Sequence, residues 1–197
     1  MIILGSGSPR RRELLEQIGA SFRVAVSSAP ELEGDDFTPA ELTQRNALAK
    51  AEAVAAQPEQ AGAWVLGADT VVALDGHIYG KPVDVADAMR MLAELSGRTH
   101  EVTTGLAFAR YQPGMAVSES STASVTTEVT MRELSEAEIR EYVQTGEPLD
   151  KAGAYGIQGR AAVFITSIAG SYSNVVGLPL ARTAELAREV GAELWER

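Results

Sequence analysis

No cysteine occurs in the 197 residues, so the chain has no disulfide frame, no thiol nucleophile and no zinc–thiolate site. Histidine is almost as scarce: His77 and His100 are too few and too far apart for a histidine metal motif. Any metal must therefore sit on oxygen ligands, which selects Mg²⁺ or Mn²⁺. No apolar run approaches the roughly 20 residues that span a bilayer, and the N-terminus shows no signal-peptide pattern. The expectation is a cytoplasmic protein with no membrane partner. Positive charge is the minority, 17 Lys and Arg against 27 Asp and Glu, and the net charge of −10 argues against a nucleic-acid partner. A single nucleotide can still enter a locally positive pocket. Lysine itself is nearly missing, with Lys50, Lys81 and Lys151 standing against fourteen arginines. Where any cation would serve, this sequence writes Arg. The three lysines, compact point charges rather than planar forks, are therefore candidates for chemistry. What is present, 45% hydrophobic and 22% charged residues, suffices for one globular domain over residues 1–197.

The densest local signal lies in residues 1–12. Met1-Ile2-Ile3-Leu4 reads as a short apolar strand that stops at Gly5, and after a small-residue turn Ser8-Pro9 starts a helix, with Ser as N-cap and Pro at its first position. Arg10, Arg11 and Arg12 then crowd a first turn where the helix dipole prefers negative charge. An anion resolves that conflict. Free backbone N–H groups, the dipole, the hydroxyls of Ser6 and Ser8 and the guanidinium forks describe a phosphate or polyphosphate cradle at the end of a strand. Arg12 precedes Glu16 by one helical turn and pairs with it on the surface, whereas Arg10 and Arg11 have no such partner and are the expected ligands.

Further along, residues 22–26 form a second short strand leading into the acidic loop 30–36, whose Glu31 is expected to face the cradle and help hold a cation. Thr38 and Glu41 make a capping box for a helix that carries Lys50 and ends near Ala56. Residues 64–74 read as a buried strand with Asp69 in its middle. A carboxylate there is costly unless it is paired or binds a metal, so Asp69 is the candidate general base or metal ligand. Asp75-Gly76 is a hairpin turn, and Gly80-Lys81-Pro82 brackets a lysine. Asp84 starts a helix with Ala88, Met91, Leu92 and Leu95 on its core face, ended by Gly97. Residues 102–108 and 117–131 alternate as two long antiparallel strands around a hairpin at Gln112-Pro113-Gly114. A second capping box, Ser135 and Glu138, opens a helix with Ile139, Tyr142 and Val143 buried and Gly146 as its stop. Residues 147–159 carry Asp150-Lys151 and then Gly153, Gly156 and Gly159, a spacing that excludes regular structure and suits a loop closing on a ligand. A buried strand over 161–168, an ordered connector over 170–179 and a terminal helix over 180–190 complete the chain.

The motifs Leu4-Gly5-Ser6-Gly7-Ser8-Pro9-Arg10-Arg11-Arg12, Gly67-Ala68-Asp69-Thr70-Val71-Val72, Gly80-Lys81-Pro82, 146–159 and 171–179 resemble, in order, those of the Maf-like nucleoside triphosphate pyrophosphatases. The form Asp150-Lys151-Ala152-Gly153-Ala154-Tyr155-Gly156-Ile157-Gln158-Gly159 resembles the dTTP/UTP-hydrolysing branch. The resemblance implies an α/β fold, an elongated, mixed and largely antiparallel sheet with flanking helices in two lobes around a central cleft, usually as a homodimer. It implies hydrolysis of dTTP, UTP and modified pyrimidine nucleotides between the α and β phosphates, with a divalent cation. By that resemblance Asp69 is the proton acceptor, Ser6, Arg10, Arg11, Glu31, Lys50, Lys81 and Asp150 line the catalytic cleft, and Arg10, Thr70 and Gln158 match positions tied to base preference. Lys151 lies beside this set. Gly5 replaces the family's usual alanine, and Pro30 stands where an acid often precedes Glu31.

The residue types suit the implied chemistry. Arg10, Arg11 and Lys81 would hold the polyphosphate, because phosphoryl-type transfer needs charge neutralisation more than covalent catalysis. A cation on Glu31, Asp69 or Asp150 would bridge phosphate oxygens, with Asp69 taking the proton of the attacking water. Gln158 offers the donor and acceptor that a uracil or thymine edge requires. Two other classes would use similar motifs: a nucleotidyltransferase, and a non-catalytic nucleotide-binding regulator of cell division or septum formation.

Overall fold

Apolar alternation resolves into a seven-stranded mixed sheet in a computed structural model that describes residues 1–112 and 119–195. The strands are β1 (Ile2–Leu4), β2 (Phe22–Val24), β3 (Val65–Leu74), β4 (His77–Tyr79), β5 (Thr99–Arg110), β6 (Glu119–Met131) and β7 (Ile165–Ala169). Their order across the sheet is β2-β1-β3-β5-β6-β7, with β4 added to β3. β1 runs parallel to β2 and β3, and every other pairing is antiparallel. The helices are α1 (Pro9–Gln17), α2 (Pro39–Ala55), α3 (Val85–Leu95), α4 (Glu136–Gln144), α5 (Tyr172–Val176) and α6 (Leu180–Val190).

Both expected capping boxes form with their reciprocal bonds, at Thr38 with Glu41 and at Ser135 with Glu138. Asp84 caps α3 through the Asp87 amide, and the core face of that helix is Ala88, Met91, Leu92 and Leu95. On one face of the sheet, alanines of α2 pack against Ile3, Val65, Ala107 and Ala109. On the other face the apolar residues gather at opposite ends of the long strands. One cluster joins β1, α1 and α6 to Leu66, Leu106 and Phe108, and the other joins α3 and α4 to Val72, Val102 and Met131. These clusters are the cores of the two lobes.

Four local expectations change. Ser8 occupies the N-cap position of α1, but its side chain makes no capping bond. Instead its amide donates to Ser6 Oγ at 3.3 Å. Residues 147–159 are not structureless: 3₁₀ turns form at Glu147–Asp150 and Ala152–Ala154. The strand expected over 161–168 starts only at Ile165, since Arg160–Phe164 is a 3₁₀ turn that buries Ala161 and Phe164 at its three-residue period and leaves Val163 68% exposed. The connector at 170–179 contains α5, capped by Ser171 through the Asn174 amide. Of the expected hairpin turn, Pro113 and Gly114 lie outside the described residues, while the strands on either side pair antiparallel from Thr99 opposite Thr130 to Arg110 opposite Glu119.

Close approach of α2 to the sheet depends on two glycines. A Cβ at Gly67 would stand 2.1 Å from the carbonyl oxygen of Ala47, and one at Gly105 would stand 2.3 Å from the carbonyl carbon of Thr43. Both obstacles are backbone of α2 and cannot swing away. Gly105→Ala is expected to cost about 3 kcal/mol of stability through overpacking, read as a lower urea midpoint at unchanged slope.

Candidate active site

The site begins as a gap in hydrogen bonding. β1 follows β3 only to the pair Leu4 and Leu66, and β4 takes up the same edge only from the pair Val72 and Tyr79. Among the described residues no strand pairs with residues 67–71 on that side, and a cleft of about 850 Å³ opens there, between the two lobes. Because successive strand residues point to opposite faces, the cleft receives Asp69 from the α2 side and Thr70 from the other.

On the acidic side, Asp69 is 7% exposed, and each of its oxygens accepts one hydrogen bond. Its Oδ1 accepts from Lys50 Nζ at 2.6 Å and its Oδ2 from Asn46 Nδ2 at 3.0 Å. The same Lys50 ammonium lies 2.6 Å from Glu31 Oε1, so one cation bridges two carboxylates. Burial raises the proton affinity of Glu31, but the bond and charge of Lys50, helped by Lys81 and Arg11, outweigh it and hold that carboxyl below its ordinary range. Asn46 also accepts from the Leu32 amide at 2.8 Å and donates to the Leu32 carbonyl at 3.0 Å, tying the acidic loop to α2.

The cationic side is equally ordered. Arg11 Nε donates to the Gly177 carbonyl at 2.8 Å, Nη1 to Ser6 Oγ at 3.1 Å and Nη2 to Thr70 Oγ1 at 3.2 Å. Burial lowers its proton affinity, with Asp69 and Glu31 acting in the opposite sense. Thr104 Oγ1 gives its proton to the Asn174 carbonyl at 3.0 Å, so the 2.9 Å bond between the Thr70 and Thr104 hydroxyls is donated by Thr70. A directed chain thus runs from Arg11 through Thr70 and Thr104 into α5. Arg10 reaches Asp150 at 3.2 Å, and Arg12 turns to Glu16 at 2.7 Å, as its spacing requires. Lys81 lines the cleft with no side-chain hydrogen bond or ion pair to any described residue, which leaves its ammonium for a ligand.

The third wall is residues 147–159. Lys151 Nζ donates to Asp150 Oδ1 and to the Glu147 carbonyl, both at 2.6 Å. Asp150 is therefore held by Lys151 and Arg10, apart from the Glu31 and Asp69 pair, and burial is outweighed by those two cations so that its carboxyl lies below the ordinary range. Among the described residues no three Asp, Glu or His side chains converge as a metal-holding group. Gln158 is exposed and lines the cleft.

Every residue proposed from the sequence lines this one cleft. The sequence reading missed Asn46, Glu147 and the pair His100 and Tyr155. Glu147 accepts from Tyr142 Oη at 2.9 Å and from the Arg160 amide at 3.0 Å, closing the loop on itself. His100 Nε2 meets Tyr155 Oη at 2.7 Å and anchors the loop to β5. Asn46 alone had a legible signal: it is a polar side chain one helical turn before Lys50 on the face that carries Ala47 and Ala51.

A helix N-terminus, pinned and free cations and a carboxylate pair, Asp69 on β3 and Glu31 on the acidic loop, around a sheet gap define an anion-handling cleft of the kind that binds phosphorylated ligands. The family model of the Maf-like proteins matches residues 1–190, and the chain belongs to that family. It is similar to the dTTP/UTP pyrophosphatase of Symbiobacterium thermophilum, 51% identical over 190 residues that cover 96% of this chain and 94% of the relative. The Bacillus cytotoxicus protein of the same name is 50% identical, covering 95% and 93% of the two chains. That of Moorella thermoacetica is 49% identical, covering 100% and 98%.

The anchor of the third wall is sensitive to acid. Burial pushes His100 down from 6.5 to about 4, so the folded protein binds fewer protons than the unfolded chain between those values. The stability that neutral His100 confers is complete above pH 6.5 and is lost as pH falls through that window, by about 3 kcal/mol. His100→Gln is expected to flatten that part of the stability-against-pH curve in urea titrations.

Proposed function

We propose that the chain is a nucleoside triphosphate pyrophosphatase that hydrolyses dTTP and UTP to the nucleoside monophosphate and pyrophosphate. One observation carries the reading from family to chemistry. The Arg11 guanidinium bonds to Thr70, the residue next to Asp69, so the polyphosphate cradle and the strand-borne carboxylate face a single cleft. The names borne by relatives about half identical over nearly their whole length support the same activity and the same substrates.

In this reading Arg10, Arg11, Lys81 and the α1 N-terminus bind the triphosphate, and Lys151 and Gln158 line the part of the cleft that takes the rest of the nucleotide. Water attacks the α phosphorus, the bond to the bridging oxygen breaks, pyrophosphate leaves, and Asp69 takes the proton of the water. Gln158 offers the mixed donor and acceptor of its amide to the pyrimidine edge, with Thr70 and Arg10 supporting base preference. A divalent cation fits the donor chemistry of Glu31 and Asp69, two oxygen ligands that already share a positive charge in Lys50. Mg²⁺ or Mn²⁺ bound to them would neutralise phosphate charge and acidify water.

Incubation with dTTP, UTP, CTP, GTP and modified pyrimidine triphosphates should release pyrophosphate without an acceptor substrate, fastest from dTTP and UTP. Tight binding with no turnover would instead make the chain a nucleotide sensor. Asp69→Asn is expected to keep nucleotide binding and lose about 10²- to 10⁴-fold in turnover; full activity in that variant removes Asp69 from the reaction.

A further inference from the structure

We infer that Asn46 is a positioning residue, which locks the loop bearing Glu31 onto the strand bearing Asp69 and so fixes how the two carboxylates face the substrate. The inference rests on the hydrolase reading and deepens it.

Asn46 is 3% exposed, and both its donors and its carbonyl are in use. An amide buried without partners is costly, and all of its partners here belong to the site. The Leu32 backbone presents one donor and one acceptor to it, so the amide cannot be turned over without losing both bonds. Its second N–H is thereby forced toward Asp69 Oδ2. One helical turn on, Lys50 joins the same two elements through Glu31 and Asp69 Oδ1. Two successive turns of α2 therefore bridge the acidic loop to β3, one by neutral bonds and one by charge.

The two bridges are not equivalent. An ammonium is a point charge on a flexible stem and tolerates many arrangements of its carboxylates, whereas a planar amide with three bonds imposes one. With Lys50 on one oxygen and Asn46 on the other, the plane of the Asp69 carboxylate is set, and its remaining lone pairs are left to the cleft it lines. Packing offers no competing reason for Asn at this position. The buried residues one turn before it on α2 are Leu42 and Thr43, so burial at this position does not by itself call for an amide.

Two variants separate holding the loop from aiming the carboxylate. Asn46→Leu removes all three bonds at similar volume. Asn46→Asp keeps shape and the acceptor for the Leu32 amide, but it loses both donors and turns a second carboxylate oxygen toward Asp69 Oδ2, so the aim of that group is disturbed more directly than the hold on the loop. Amide hydrogen exchange is read on the nucleotide-free protein, and kcat and KM on dTTP. In Asn46→Leu, exchange at Leu32 should rise about tenfold or more, and kcat should fall about ten- to a hundredfold with KM within about threefold of wild type. In Asn46→Asp, Leu32 should stay largely protected while kcat still falls about tenfold. Unchanged exchange at Leu32 in the leucine variant, or wild-type kcat in Asn46→Asp, overturns the proposal. If the leucine variant fails to fold, the isosteric aspartate variant decides. A wild-type protein that hydrolyses no nucleotide sinks the hydrolase reading instead, while the exchange result still tells whether Asn46 holds the loop.

Discussion

A carboxylate inside a β-sheet has to be compensated, and the compensation of Asp69 organises one side of this molecule. Lys50 supplies the charge and Asn46 a neutral donor, both from α2, so the helix must lie close enough for two short bonds. That distance is available only because Gly67 and Gly105 present no side chain to α2. Lys50 also lies against Glu31, which brings the acidic loop to the same point. One buried charge thus explains two glycines, a helix position and a loop anchor.

The opposite wall solves the complementary difficulty of too much positive charge at one helix N-terminus. Its three arginines have divided roles. Arg12 is neutralised on the surface by Glu16, and Arg10 reaches across the cleft mouth to Asp150. Arg11 is held by a carbonyl and two hydroxyls, with no direct carboxylate partner among the described residues, so its charge stays available to the cleft rather than being cancelled. Neutral acceptors orient a guanidinium without quenching it, which suits a group that must meet an anionic ligand already in place. Lys81, which acts on Glu31 at a distance but has no hydrogen bond or ion pair to a described residue, adds charge on a flexible stem.

Much of the chemistry that is local in the chain was legible in the sequence, though the expected side-chain cap at Ser8 was not formed. The caps at Thr38, Asp84 and Ser135, the pairing of Arg12 with Glu16 and the burial of Asp69 follow from spacing alone. Partners separated along the chain were not. Nothing in the sequence says that Arg11 would meet Gly177, that His100 would meet Tyr155, or that Asn46 would hold Leu32, because these bonds arise from sheet order and helix placement. The apolar run at 161–168 misled for a related reason. Burial of every third residue in a 3₁₀ turn and of alternate residues in a strand look alike over so short a stretch, and only the register with β6 tells them apart.

Placing recognition on residues 147–159 would ordinarily trade precision for adaptability, since loops are the mobile part of a fold. Here the loop is fastened at both ends and in the middle. The Glu147 carboxylate clasps Tyr142 and the Arg160 amide, its carbonyl holds Lys151, and Tyr155 is bonded to His100 on β5. Gly159 belongs to the same fastening, because a Cβ there would stand 2.2 Å from Glu147 Oε1. Gln158, immediately before that glycine, is therefore presented to the cleft by backbone whose position is already determined. For the base-reading role proposed for Gln158, such preorganisation is an advantage, since a group that need not be ordered on binding loses less when the right edge arrives.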